Sequence, residues 1–231
     1  MQYRHLFFDL DHTLWDFDTN SKEAMHEIFT ELALPERGIT DFEAFFEKYS
    51  FHNHRLWDKY SRGLIKQDEL RWKRMFLALV DFKVADEALS RQMGVRFLDI
   101  LPSKNVLFPY THEILSYLKK KGYELHLITN GFEKVQYHKL EKSNIGHYFN
   151  QVITSEIANS LKPQKEIFDF ALTRTGASRS ESIMIGDNID ADIAGAQNAG
   201  LDTVFVNHLN VTAVIQPTYV VSCLKELEII F

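Results

Sequence analysis

From Pro109 onward the sequence alternates between two textures. Short apolar runs, YELHLIT, NQVITS, ESIMIGD, DTVFVN and TYVVS, are separated by amphipathic stretches of helical period, such as THEILSYLKKKG, FEKVQYHKLEKS and KPQKEIFDFALTRTG. Apolar runs this short, bounded by turn residues, read as strands buried on both faces. Strand–helix alternation leaves few topologies open: parallel strands joined by crossover helices, with helices on both faces of the sheet. Pro163 falls where a helix opens, and Gly122, Gly176 and Gly200 fall where helices close. DADIAGAQNAG, rich in small residues, reads as one more helix, and LKELEIIF as the last. The expected fold class is α/β, a Rossmann-like doubly wound parallel sheet.

Leu6-Phe7-Phe8 reads as one further buried strand, ending on Asp9. Between it and Pro109 the texture changes. Residues 20 to about 100 are rich in Phe, Leu, Glu, Lys and Arg and lack strand-like runs. SKEAMHEIFTELAL places Ala24, Ile28 and Leu32 at helical spacing, with Asn20 or Ser21 as the expected N-cap. DFEAFFEKYSFHNHRLWDKY, KQDELRWKRMFLALV and ADEALSRQMGVRFLDIL complete a set of four helices. The expected organisation is a catalytic core of residues 1–15 and 106–231, with an inserted all-helical cap domain at 16–105. A chain of 231 residues is long for one compact domain and suits a domain with a sizeable insert.

A net charge of −6 argues against a nucleic acid polymer as partner, because such binding rests on basic contacts to phosphates. The single cysteine, Cys223, allows no internal disulfide and suits the cytoplasm. The N-terminal apolar stretch is too short for a signal peptide, and no run approaches the roughly 18 residues that span a bilayer. No membrane partner is expected. The sequence leaves monomer and homodimer both open.

In open parallel sheets, ligands bind beyond the carboxyl ends of the strands. Four such ends carry polar groups: Asp9 and Asp11, then Thr129-Asn130-Gly131, then Lys162 before a helix, and Asp187 with Asp190 and Asp192. Asp9 and Asp11 are like charges that need a compensating partner. A carboxylate such as Asp9 can serve as a nucleophile and form an aspartyl phosphate. Asp11 is placed to protonate a leaving oxygen and then to deprotonate a water. A hard divalent cation, Mg²⁺ by its preferences, would hold Asp9 and Asp187 together. The Thr129 hydroxyl and the neighbouring N–H groups of Asn130 and Gly131 would bind phosphoryl oxygens. Lys162 would offset the charge on Asp9 and the phosphoryl group.

These segments also carry a resemblance. DLDHT resembles the first motif of the haloacid dehalogenase-like hydrolases, LITNG the second, LKPQKEIF the third and IGDNIDADIAGAQNAG the fourth. They stand in the family's order and cover the core from about residue 4 to 207. The resemblance implies an Mg²⁺-dependent phosphatase with a helical cap of the first type. It implies Asp9 as nucleophile, Asp11 as acid/base, Thr129 and Lys162 on the phosphoryl group, and a metal set of Asp9, Asp11 and Asp187. Asp192 and Asn188 are implied as support. Family members that act on haloacids lack an aspartate at the place of Asp11, which argues against dehalogenation.

DLDHTLWDF and the stretch HRLWDKYSRGLIKQDELRWKRM further resemble the branch of bacterial pyrimidine 5′-nucleotidases. That implies nucleoside monophosphates as the partner, with Trp15 and Arg71 as candidate substrate contacts. Sugar phosphates, phosphoglycolate and pyrophosphate are the alternatives among small phosphorylated metabolites. A phospho-accepting signalling domain, or a catalytically silent metal-binding domain, is the alternative of another class.

Overall fold

The computed structural model describes residues 2–212 and 214–231. Its sheet comprises β1 (His5–Phe8), β2 (Glu124–Thr129), β3 (Gln151–Thr154), β4 (Ser182–Gly186), β5 (Asp202–Val206) and β6 (Tyr219–Val221). The strand order is β3-β2-β1-β4-β5-β6, and every pairing is parallel. The expected α/β fold is therefore what the chain forms. All of β1 and β4 is buried, which is why these strands read as continuous apolar runs.

The order reverses direction at β1. The chain moves outward through β2 and β3, then returns to the other side of β1 with β4. Such a switch point opens a crevice at the carboxyl ends of the strands. Register aligns those ends: Phe8 lies beside Leu127 on one side and Ile185 on the other. The Asp9 N–H donates to the Ile185 carbonyl at 2.9 Å, so the ladder runs one residue past β1.

The helices are α1 (Phe17–Glu31), α2 (Phe42–Ser61), α3 (Gln67–Asp81), α4 (Glu87–Ile100), α5 (Thr111–Lys120), α6 (Glu133–Lys142), α7 (Ser155–Ala158), α8 (Lys165–Thr175), α9 (Gly195–Asn198) and α10 (Leu227–Ile230). α1 starts at Phe17, ahead of the expected cap. Asn20 and Ser21 are buried inside its first turns, and Ser21 Oγ donates to the Asp18 carbonyl at 3.2 Å. Asp18, in the first turn, suits the positive end of the helix dipole.

The segment after Asp187 also differs from a plain α-helix. Ile189–Ala194 forms a π-helical turn that runs into α9. The Ile193 N–H reaches the Asn188 carbonyl at 3.2 Å, one residue wider than an α-turn. Asn188 caps this turn, accepting from the N–H groups of Asp190 at 3.1 Å and Ala191 at 2.8 Å.

The chain divides into two compact units, Met1–Phe17 with Asn105–Phe231, and Asp18–Lys104. The second unit packs Phe45, Tyr49, Leu70, Met75, Leu79, Met93 and Phe97 into its core. Asp41 and Asp86 cap α2 and α4 by accepting from Ala44 N–H and Leu89 N–H. Gly94 allows α4 to approach α3 closely, because a Cβ there would stand 2.8 Å from the Arg71 carbonyl oxygen. Among the described residues, no helix is long and apolar enough to cross a membrane.

Candidate active site

The strand ends of the larger unit converge on a cluster of charge. Asp9 leaves β1 buried, with its Oδ1 2.6 Å from Lys162 Nζ. The same ammonium lies 2.6 Å from Asp192 Oδ1. The ligand oxygens of Asp9, Asp187 and Asp192 all fall within 4.8 Å of one another. Asp187 follows β4 and its Oδ1 accepts from Thr13 Oγ1 at 2.9 Å, which ties the loop after β1 to the loop after β4.

Each of these side chains is held from behind. Asp192 Oδ2 accepts from the Asn188 N–H at 3.0 Å, so the π-turn folds its carboxylate back toward the end of β4. Gly186 makes room for it, since a Cβ there would collide with the Asp192 carboxylate. Asn130, just past β2, clamps the main chain of Lys162: its Nδ2 donates to the Lys162 carbonyl and its Oδ1 accepts from the Lys162 N–H, both at 2.8 Å. Its position thereby fixes where the Lys162 ammonium emerges.

Asp11 lies elsewhere in the crevice. Its Oδ1 is 2.5 Å from Lys139 Nζ, and its Oδ2 accepts from Gln136 Nε2 at 2.9 Å. Gln136 Nε2 also donates to Thr129 Oγ1 at 2.6 Å, and the Gly131 N–H donates to that same oxygen at 3.1 Å. A hydroxyl has two acceptor lone pairs and one donor hydrogen. Both acceptor positions of Thr129 are thus occupied, which leaves its O–H to donate to an anion.

The electrostatics follow from crowding. Burial raises the Asp9 carboxyl well above its usual range; Lys162 works against that, while Asp192 and Asp187 add to it. Desolvation, with Asp192 next, pushes Asp187 up to about 7. Burial would lower the Lys162 ammonium, but Asp192 and Asp9 outweigh it and hold the group above its ordinary value. The three acids carry more negative charge than one ammonium offsets, and all their free donors are hard oxygens. That donor set fits a small divalent cation.

The structure therefore brings together Asp9, Thr129, Asn130, Gly131, Lys162, Asp187, Asn188 and Asp192. Asp11 borders the same crevice through Gln136. Trp15 is fully buried, with its ring 4.2 Å beneath Lys139 Nζ. Arg71 belongs to the other unit, half-buried on α3. Exposed Asp190 gives its N–H to the Asn188 cap, and its carbonyl accepts from the Gly195 N–H.

Two residues here are not singled out by the sequence, Gln136 and Lys139. Both sit on α6, three apart and so on one face. A weak signal exists: they share with Leu140 the buried side of a helix that is otherwise polar. Thr13 falls inside the first motif, but its tie to Asp187 is visible only in the fold.

Comparison with known proteins fits this geometry. The sequence profile of the haloacid dehalogenase-like hydrolases matches residues 3–200. This chain belongs to that family. It is 33% identical over 233 residues to the pyrimidine 5′-nucleotidase PynA of Streptococcus pneumoniae, covering 98% of this chain and 94% of that protein. It is 32% identical over 234 residues to the pyrimidine 5′-nucleotidase YjjG of Escherichia coli, covering 99% and 97%. YfnB of Bacillus subtilis, solved with magnesium bound, superposes with a TM-score of 0.91 at 28% identity, covering 100% of this chain and 99% of that one. As a haloacid dehalogenase-like hydrolase the chain is an enzyme, and its expected place among the family's phosphatases is borne out.

Proposed function

We propose that this chain is an Mg²⁺-dependent phosphomonoesterase that works through an aspartyl phosphate on Asp9, with nucleoside monophosphates as its preferred substrates. One observation carries the reading. Lys162 holds Oδ1 of the buried Asp9, and Oδ2 accepts no hydrogen bond among the described residues. A carboxylate anchored to an ammonium through one oxygen, with the other left open, is pre-aimed at a phosphorus atom.

Asp9 and Asp187 would hold the cation, with Asp192 rather than the expected Asp11 completing the carboxylate set, because both Asp11 oxygens are taken by Lys139 and Gln136. A bound Mg²⁺ supplies charge neutralisation for the phosphoryl oxygens and orients the ester. In the first step Asp9 Oδ2 bonds to phosphorus, the ester P–O bond breaks, and Asp11 gives its proton to the leaving oxygen. In the second step a water attacks the phosphorus, Asp11 takes its proton, and the Asp9–phosphorus bond breaks to release phosphate. Lys162 and the Thr129 O–H donate to the equatorial oxygens throughout. Of the two backbone donors expected beside Thr129, the Gly131 N–H is spent on Thr129 Oγ1, which leaves the Asn130 N–H as the one that would reach the phosphoryl group.

The nucleotide preference draws support from PynA and YjjG, whose names state pyrimidine 5′-nucleotidase activity. Asp18–Lys104 would act as the cap that selects the leaving group. The lone Cys223 keeps the cytoplasm as the proposed location.

The test is phosphate release with Mg²⁺, and with EDTA as control, across pyrimidine and purine monophosphates, hexose phosphates, phosphoglycolate and pyrophosphate. Preference for UMP, dUMP or dTMP supports the full reading. Turnover of a sugar phosphate instead replaces the substrate and keeps the core assignment. Asp9→Asn should abolish turnover with an unchanged circular dichroism spectrum, and substantial residual activity would remove Asp9 from the nucleophile's place.

A further inference from the structure

We propose that His5, Glu124 and His126 form a second metal site, for a borderline divalent cation of the Zn²⁺ kind, at the amino-terminal end of β1 and β2. The sheet places these three side chains together. His5 and Glu124 are in-register neighbours, and His126 follows Glu124 by two, so all three project from one face. His5 Nδ1 lies 3.2 Å from His126 Nε2 and 3.8 Å from Glu124 Oε2. One donor atom from each falls within 4.8 Å of the other two.

The spacing suits a shared cation. Two nitrogens bound at about 2.0–2.1 Å to a tetrahedral zinc stand roughly 3.3 Å apart. The two rings lie 19° from parallel with centroids at 5.4 Å, and their facing nitrogens share one hydrogen bond that a cation would replace. Two imidazoles and one carboxylate, with room for a water, is a donor set that zinc favours over magnesium.

The surroundings prepare the donors. Arg4 Nε and Nη2 both donate to Glu124 Oε1, at 3.1 and 2.8 Å, which fixes the carboxylate and leaves Oε2 toward the imidazoles. Arg4 also opposes a cation by its charge, so the site's affinity rests on the three ligands. The Glu124 side chain is 31% exposed and gives the ion a route in from solvent.

This site is separate from the candidate active site. His5 and Asp9 lie at opposite ends of β1, about 13 Å apart along the strand. A cation here would clasp the first strand of the chain to the first strand after the helical insert. It would stabilise the folded state by mass action without entering the chemistry.

Cobalt titration of the full chain tests this, with Mg²⁺ held in excess to occupy the carboxylate cluster. The expected result is one equivalent of Co²⁺ with the visible absorption of tetrahedral cobalt, displaced by one equivalent of Zn²⁺. Glu124→Gln, a change at the surface, should weaken binding at least tenfold while phosphate release is retained. His5→Gln should abolish the band. Asp187→Asn should leave it intact, which keeps the result independent of the active-site reading. Absence of any visible band would mean a hydrogen-bonded histidine pair only and would overturn the site. So would a band unchanged in both Glu124→Gln and His5→Gln, or one lost in Asp187→Asn.

Discussion

Asp11 has the most demanding role in the proposed reaction, because it must give a proton and later take one. Its orientation is set by two buried side chains of α6. Lys139 is 2% exposed, reaches Asp11 Oδ1 at 2.5 Å, and rests over the Trp15 ring at 4.2 Å. An ammonium this buried is tolerated only with such partners. Trp15 thus bears on the site through Lys139, as a platform beneath it. Lys139→Met keeps most of the stem's volume and removes the charge, which frees Asp11 to turn. Turnover should fall roughly 10- to 100-fold, the scale of a misplaced reacting group, while KM for the same ester changes little. Steady-state kinetics would check this, with the melting temperature as a control for folding. Wild-type turnover in that variant would mean that Asp11 needs no help from Lys139.

At the scale of elements, α9 and its π-turn do more than close the fold. Gly195 lies where a Cβ would stand 2.8 Å from Pro163 Cα and 3.0 Å from Phe168 Cε2. The helix therefore presses on the residue next to Lys162. Gly195→Ala should force that segment away, costing about 1–3 kcal/mol as overpacking does, and it should lower turnover along with stability. Thermal denaturation and turnover measured on one preparation would check it, and wild-type values in both would show that the contact has slack. How this element forms was only partly legible. Strand ends could be read because buried parallel strands are continuous apolar runs that stop at polar residues, as at Asp9, Thr129 and Asp187. The helical stretch and its four helices could be read from the 3.6-residue period. The π-turn could not, because it depends on Asn188 capping the turn and on Asp192 folding back. Nor could the start of α1, since Asn20 and Ser21, apt as caps by residue type, are instead buried inside its first turns. Gln136 and Lys139 were hidden for a different reason: the residue they hold, Asp11, lies 125 and 128 positions away. Local pattern carries no trace of a contact that only the sheet's topology creates.

For the whole molecule, the carboxylate cluster links pH, metal and stability. Without a cation, desolvation holds the Asp187 carboxyl near 7, whereas the same group in an unfolded chain titrates at about 4. Between those two values the folded state keeps a proton that the unfolded chain has released. Stability from this group therefore declines as pH rises through the window, and levels off above about 7. A cation bound by Asp9, Asp187 and Asp192 favours the ionised form and reverses the trend, because binding then displaces the proton. The melting temperature in EDTA should accordingly drop between about pH 5 and pH 7.5. The gain on adding millimolar Mg²⁺ should be small near pH 5 and should grow up to about pH 8. Asp187→Asn removes one of the crowded charges, so it should be more stable than the wild type in EDTA above pH 7 and should lose most of the Mg²⁺ gain. Calorimetry of both proteins, with and without the ion, separates this contribution from every other titrating group, since only the site's own share responds to the metal. An Mg²⁺ gain of equal size at every pH, or one kept in full by Asp187→Asn, would place the cation outside this cluster.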